Sequence, residues 1–573
     1  MSAYKTATNA EGIIKTRLEK MRADACEVQA DGYYCVVTRS EEVVKLPPLS
    51  AAMQNVPDAY RLYADTTSIV IQSASPRGIL YGWEEWEKQG NINPGYYKEN
   101  VPSRALRAAH IDIRYGLPNR DRLRSILDTL TELHYNAVIL DLEDKLPFTK
   151  RPELAGAEHF SPEDLEWLRN YTKEHYLELI PLQQTLGHLE FALRHEQYAD
   201  LREVRQQPEA DLEPLFHHGI TSAKHYHDFE EICPCREEGY QLVEDMLEDT
   251  LNLFPDSQYI HIGSDEAWNL LYCPDCQAKY GKDGKTKLLL EHIKRIAAKV
   301  IEAGRRPIIW DDLLRHMTTE ELSQLPSELI VMCWLYYEGD PKADTFIKAY
   351  QDAGLEIWGA SAAKCSMTAP EYLDLPDYVA RNGNTDWWSK ACDQYNIPGF
   401  AVTVWSNYSG TIAPPHAAFE TAWLPLCYAA EKLWDAQTTI EDFLQHFAAD
   451  FFGVEAPLTG VDRESLLPVA EKAAAEAVRH THEAKVWYLE ILMAFYRVKS
   501  AFVVRELYRY NQDITAAEKA LIDRRVEEVT RMRNYIKPEL EKALRENYSE
   551  RETQIFIASR FETDEILYNS YKK

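Results

Sequence analysis

At 573 residues the chain exceeds one hydrophobic core and is long enough for a barrel of roughly 250 residues with flanking domains. A composition of 45% hydrophobic and 27% charged residues, with 13 Trp, 34 Tyr and 17 Phe, excludes extended disorder. The net charge of −29, from 92 Asp and Glu against 63 Lys and Arg, sets a negative surface potential that excludes nucleic acid and anionic membranes as partners.

The first residues, MSAYKTATNAEGIIKTRLEK, contain no apolar stretch of signal-peptide length, and no later stretch has the length of a membrane span. The expectation is a cytoplasmic protein whose ten cysteines are reduced thiols or metal ligands and not a disulfide framework. Short strand-like runs at 25–30, 33–39, 60–64 and 68–73 predict a small sheet. SPRGILYGWEEWEKQG then predicts a helix with Ser75 at the N-cap and Pro76 in its first position, which completes a small α/β domain over 1–101.

From Pro102 eight short apolar runs succeed one another, at 106–114, 136–144, 177–185, 259–266, 306–312, 329–337, 355–360 and 400–407. Leu123, Ile126, Leu127, Leu130 and Leu133 fall at helical spacing between the first two, as a crossover helix requires. Strands buried on both faces read as continuous apolar runs, so eight of them alternating with helical patterns predict a (β/α)8 TIM barrel over 102–432, in an α/β fold class. Beyond it, over 433–573, only helical patterns remain, and an all-α C-terminal region is expected. Its apolar stripes suit packing on the barrel, a homodimer contact or a cap over the active site alike.

The informative segment is IHIGSDEAW at 260–268, where a buried run ends in Gly263 and two neighbouring carboxylates, Asp265 and Glu266. In an acidic protein such pairs usually sit on solvated faces; at the C-terminal end of a barrel strand the position favours chemistry. The segment resembles the H-x-G-x-D-E signature of glycoside hydrolase family 20, and is most similar to its hexosaminidase D branch. RAAHIDIRYGLP (107–118), VILDLEDKLPF (138–148) and LIPLQQTLGHLEFALRHEQYADLREV (179–204) are similar to that branch as well. The likeness is dense from Arg107 to Trp268, sparser to Tyr408, and not detected in the helical tail.

The resemblance implies a β-N-acetylhexosaminidase that hydrolyses glycans with a terminal β-N-acetylhexosamine, and its branch favours N-acetylgalactosamine. It implies retaining, substrate-assisted chemistry in which the 2-acetamido oxygen attacks the anomeric carbon to give an oxazolinium ion, outside the usual two-carboxylate scheme. Glu266 is then the general acid and base, and Asp265 orients the acetamide. No cofactor is needed for that reaction. Trp310, Trp334, Trp358 and Trp405 close four barrel runs and are expected to form the acetamide socket. Tyr336 matches the family's tyrosine that donates to the developing oxazoline, with Tyr337 as its rival. Asp112, Arg114 and Glu143 are expected to bind sugar hydroxyls, Arg114 at the 3- or 4-hydroxyl, although an ion pair of Arg114 with Asp112 or Asp141 is an equal reading. His188 and Glu190 lie in the matched loop after the third run, His188 in an orienting role, and Asp311 and Asn407 are rim candidates.

The family does not demand the cysteines. Cys233 and Cys235 form CPC, Cys273 and Cys276 form CPDC, and the pairs flank the catalytic run: four thiolates so placed can hold a structural zinc as a loop clamp, and free buried cysteines are the rival reading. Two rival functions stand beside the hydrolase: a sugar-binding protein that has lost turnover, and a zinc-dependent hydrolase, which all-thiolate sites disfavour because they are closed to substrate.

Overall fold

The computed structural model describes residues 26–29, 32–38, 46–66, 68–89, 95–114, 116–205, 231–337, 339, 341–365, 375–406, 418–510 and 514–570. A five-stranded antiparallel sheet comes first, with β1 (Cys26–Gln29), β2 (Gly32–Thr38), β3 (Tyr60–Ala64), β4 (Ser68–Ser73) and β5 (Tyr96–Asn100) in the order β1-β2-β4-β3-β5. Helix Pro76–Gln89 packs on it, and the Ser75 hydroxyl accepts from Gly78 N at 3.1 Å, as the N-cap reading expects. Strand β5 escaped the sequence reading because YYKEN carries no apolar face; it is a polar strand annexed to β3. Asp58, before β3, pairs with Arg107 at 2.7 Å, both almost fully buried, and so fastens this sheet to the first strand of the barrel.

Eight parallel strands close that barrel: β6 (Leu106–Asp112), β7 (Ala137–Asp141), β8 (Glu178–Leu182), β9 (Tyr259–His261), β10 (Arg306–Trp310), β11 (Ile330–Trp334), β12 (Glu356–Lys364) and β13 (Gly399–Val404), with β13 pairing β6. Each lies within or across one of the eight apolar runs, and β7 is buried at every position, as strands covered on both faces must be. Side chains such as Ile139, Ile180, Ile308, Ile330 and Met332 fill the interior, so the barrel is a packed core and not a pore. The first crossover helix, Arg120–Glu132, buries Leu123, Ile126, Leu127 and Leu130 and is capped by Asn119.

Trp358 departs from expectation. Strand β12 continues to Lys364, so Trp358 is its third residue and not its end. Its indole donates to Glu356 Oε1 at 2.8 Å and meets the ring of Tyr259, the first residue of β9, at 5.0 Å. Trp358 therefore fills the N-terminal end of the barrel, opposite the end where the other three tryptophans lie.

After Trp423–Trp434 come helices Ile440–Phe452, Arg463–Glu476, Thr481–Tyr510, Ala516–Arg545 and Glu550–Ser570. Thr481–Tyr510 and the turn after Ala516–Arg545 reach the barrel, where the buried Arg122 pairs with Glu483 and Asn119 N donates to Asn547 O at 2.8 Å, while the last two helices share an apolar cluster with Thr481–Tyr510. Among the described residues no helix is long and apolar enough to cross a membrane.

Candidate active site

Strand β9 is only three residues long, and the chain leaves it through Ile262, Gly263, Ser264, Asp265 and Glu266. Gly263 has φ +60°, and a Cβ there would meet Gln184 Oε1 at 1.8 Å, so only glycine lets the Gln184 amide lie against this turn. That amide binds the turn from both ends, accepting from Ser264 N at 3.1 Å and donating to Asp265 Oδ1 at 3.0 Å. The other Asp265 oxygen lies 3.4 Å from His188 Nε2, which is 3.3 Å from Glu266 Oε2. One imidazole thus bridges the two neighbouring carboxylates. Burial works to raise the Asp265 carboxyl, but His188 and Gln184 outweigh it and hold it down at about 2. Glu266 is the more open of the two, with 29% of its side chain accessible against 10% for Asp265.

Glu266 itself has φ +51°, and His188, Ser264 and Glu143 also sit at positive φ. Such backbones cost on the order of 1–3 kcal/mol each and persist where surrounding contacts dictate them. One of those contacts is Asp312, whose Oδ2 accepts from Glu266 N at 2.9 Å while Oδ1 accepts from Trp334 Nε1 at 3.2 Å. Burial, with the charge of Asp265, pushes Asp312 up to about 7. Sequence reasoning chose its neighbour. Asp311 lies fully buried, bound to Arg315 at 2.8 Å and accepting from Trp334 N at 3.0 Å, so it braces the strand end and does not form the rim. The doublet in RPIIWDD was visible; which of its members faces the mouth was not.

Three tryptophans and a tyrosine gather beside the pair. Trp334 ends β11, and its ring centroid is 5.2 Å from that of Tyr336. Trp405 comes directly after β13, and its indole donates to the Tyr336 hydroxyl at 3.0 Å. An indole can only donate, so the Tyr336 oxygen accepts there and keeps its proton for another acceptor. Tyr337 is 60% exposed and outside this contact. Trp310 ends β10, 5.9 Å from Trp405 centroid to centroid and 4.5 Å from the His261 ring. His110 packs 4.4 Å from Trp405; burial lowers it to about 4 and His261 to about 3, so both are neutral near pH 7. These two histidines form a floor that the sequence reading did not assign.

On the other side Arg114 holds Asp112 at 2.9 Å, Asp141 at 3.3 Å and Glu143 at 2.9 Å, with its guanidinium 5.6 Å from the Trp405 ring centroid. The ion-pair reading of Arg114 therefore describes its place in this structure. The carboxyls around it differ. Asp112, buried but gripped by Arg114, is held near 2, whereas burial drives Asp141 up to about 7 and Glu143 well above the usual range. Among the described residues the oxygens of Glu190 have no hydrogen bond, though they are buried, and the Glu190 charge is one cause of the rise at Glu143. Asn407 lies outside the described residues.

The cysteine cluster lies behind the same turn. Cys233 Sγ is 3.3 Å from Cys273 Sγ and 3.6 Å from Cys276 Sγ, and Cys276 Sγ is 3.2 Å from Glu203 Oε2. One ligand atom from each of these four residues lies within 4.8 Å of all the others. Cys235 falls outside that group, and Glu203 joins it, a carboxylate that cysteine spacing has no means to reveal.

Residues 107–437 match the model of glycosyl hydrolase family 20, catalytic domain. Hexosaminidase D of Bos taurus is 27% identical over 316 residues, covering 53% of this chain and 85% of that protein. Hexosaminidase D of Homo sapiens is 27% identical over 318 residues, covering 53% of this chain and 60% of that protein. A solved β-N-acetylhexosaminidase from Bacteroides fragilis, 16% identical, superposes with a TM-score of 0.51 over 69% of this chain and 81% of its own, a likeness of fold.

Proposed function

For a chain that belongs to glycosyl hydrolase family 20, we propose cleavage of terminal β-linked N-acetylgalactosamine by retaining, substrate-assisted hydrolysis. The chain is a glycoside hydrolase of the β-N-acetylhexosaminidase type, and the preference for the galacto epimer rests on its similarity to the hexosaminidase D proteins. The observation that carries the mechanism is the unequal environment of the two neighbouring carboxylates. Asp265, ionised and held at both oxygens, suits a fixed acceptor for the acetamide N–H, since a carboxylate offers about four lone-pair directions and Gln184 and His188 take one each. Glu266, more open and next to an imidazole, suits proton transfer to the glycosidic oxygen and later from water.

The acetamide oxygen attacks the anomeric carbon as the C–O bond to the leaving group breaks, and Glu266 gives the leaving oxygen its proton. Tyr336, with its oxygen already accepting from Trp405, donates a hydrogen bond to the acetamide oxygen and keeps its proton, and Asp265 draws on the N–H as positive charge grows there. Trp310, Trp334 and Trp405 enclose the methyl group. Water, deprotonated by Glu266, then reopens the ring with overall retention. Glu190, its carboxylate oxygens buried and lacking a donor among the described residues, and Glu143 beside Arg114 suit sugar hydroxyls. No step uses a cofactor.

Kinetics on the p-nitrophenyl β-glycosides of N-acetylgalactosamine and N-acetylglucosamine test this reading. A higher kcat/KM on the galacto substrate is expected; the reverse order overturns the epimer assignment, and turnover of neither overturns the hydrolase.

A further inference from the structure

Three segments meet behind the catalytic turn: 186–205, which carries His188; 231–236; and 266–276, which begins with Glu266. Main-chain bonds cross between the first two, from Ile232 N to Leu186 O at 3.1 Å, Cys233 N to Leu201 O at 2.7 Å and Glu203 N to Glu231 O at 2.9 Å. Side chains of these two reach the third, Glu231 accepting from Asn269 N at 2.8 Å and Glu203 Oε1 from Cys273 N at 3.0 Å. At their junction stand three cysteines and a carboxylate, all four buried.

We infer that Cys233, Cys273, Cys276 and Glu203 bind a divalent zinc ion that clamps the loop of His188 to the loop of Glu266. Zn–S bonds of about 2.3 Å put two sulfurs of a tetrahedral ion about 3.8 Å apart. The sulfur pairs at 3.3 and 3.6 Å are close to that edge, Cys276 Sγ to Glu203 Oε2 at 3.2 Å is close to the shorter sulfur–oxygen edge, and a small expansion accommodates the ion. Cys276 N donates to Cys273 Sγ at 3.3 Å, an N–H···S bond from the last residue of CPDC that favours the thiolate. Three thiolates and a carboxylate outweigh the cation by two charges, and a guanidinium offsets part of the excess: Arg205 Nη2 lies 3.7 Å from Cys233 Sγ and 3.6 Å from Cys273 Sγ, held there by Asp275 at 2.9 Å. Glu203 arrives with one oxygen anchored on Cys273 N, so the other is oriented at the ion's position. Cys235, half-buried, meets the Cys276 thiol but lies outside the group of four, and so takes the place of a neighbour to the ion. With all four positions taken by protein, the ion has none for substrate.

The test is zinc per chain, by mass spectrometry of the full-length protein purified without chelator or immobilised metal, a readout that does not depend on turnover. One zinc per chain is expected. Cys235→Ser keeps it, whereas Glu203→Gln gives it up to a competing chelator at a concentration lower by at least roughly 10-fold, the least that loss of even a supporting group outside the ligand set costs. Cobalt exchanged for the zinc shows thiolate-to-metal charge-transfer absorption. Less than a tenth of a zinc in wild-type protein that melts cooperatively overturns the site, and loss of zinc from Cys235→Ser with retention in Glu203→Gln overturns the ligand set.

Discussion

Two carboxyl groups on either side of Glu266 have opposite titrations. Asp265 is ionised down to about 2 because His188 and Gln184 outweigh burial, while Asp312 stays protonated up to about 7 because burial and Asp265 dominate. An acid raised in the folded state contributes stability that is complete below its unfolded value of 3.8 and is lost as pH rises through about 7. Asp312→Asn removes one such slope, so the melting temperature of the variant should change less than that of wild type between pH 4 and pH 7; equal slopes would show that Asp312 does not titrate there. Part of the slope should survive, because Asp141 is raised in the same sense. Glu266→Gln should cost roughly 10²–10⁴ in kcat while a thiazoline analogue of the intermediate still binds; full activity in this variant would remove Glu266 from proton transfer. Asp265, Glu266, His188 and Tyr336 could be picked from the sequence because they stand in recognisable strings. Asp312 and Glu203 could not, since each is defined by what it faces across the fold.

The short strand β9 matters less for its pairing than for its abrupt end. After three residues the chain turns through Gly263, and the positive φ values at Gly263, Ser264 and Glu266 aim two consecutive carboxylates to different partners. Gly263→Ala would place a methyl on the Gln184 amide and strain the turn, displacing the group that fixes Asp265. A displacement near 1 Å at a catalytic group can cost about a hundredfold, so kcat should drop on that order with a smaller change in KM. Unchanged kcat would mean that Gln184 does not position Asp265. The eight strand runs were legible because burial on both faces writes them as uninterrupted apolar stretches. Where a strand ends is written less clearly: β12 continues through small residues to Lys364, and that extension is why Trp358 belongs to the far end of the barrel and not to the socket.

At the scale of the whole molecule, amphipathic stripes in the helical tail announced burial without naming a partner, so sequence left its role open. The partner is in part the barrel, whose core takes in Trp487 and Ile491, and in part the tail itself, where Thr481–Tyr510, Ala516–Arg545 and Glu550–Ser570 share a second apolar cluster. Arg560 of the last helix and Glu490 of Thr481–Tyr510 form a fully buried pair at 2.8 Å, and Glu490 also accepts from Ala418 N at 3.3 Å, shortly before helix Trp423–Trp434. Beside them the buried Lys364 side chain is lowered to about 8, chiefly by burial, against the pull of Glu490 and with the push of Arg560. Lys364 ends β12, and its carbonyl accepts from Trp405 N at 3.0 Å, one step from the bond between Trp405 and Tyr336. Removing one member of a buried pair leaves a stranded charge, so Arg560→Met should destabilise by about 3–5 kcal/mol, whereas Glu490→Leu combined with Arg560→Met should recover most of that loss. If the tail supports the site through β12, the single variant should also lose activity at temperatures well below its melt, and the double variant should regain it together with stability. A single variant that melts like wild type would show that the barrel's mouth stands without this pair, however deeply it is buried.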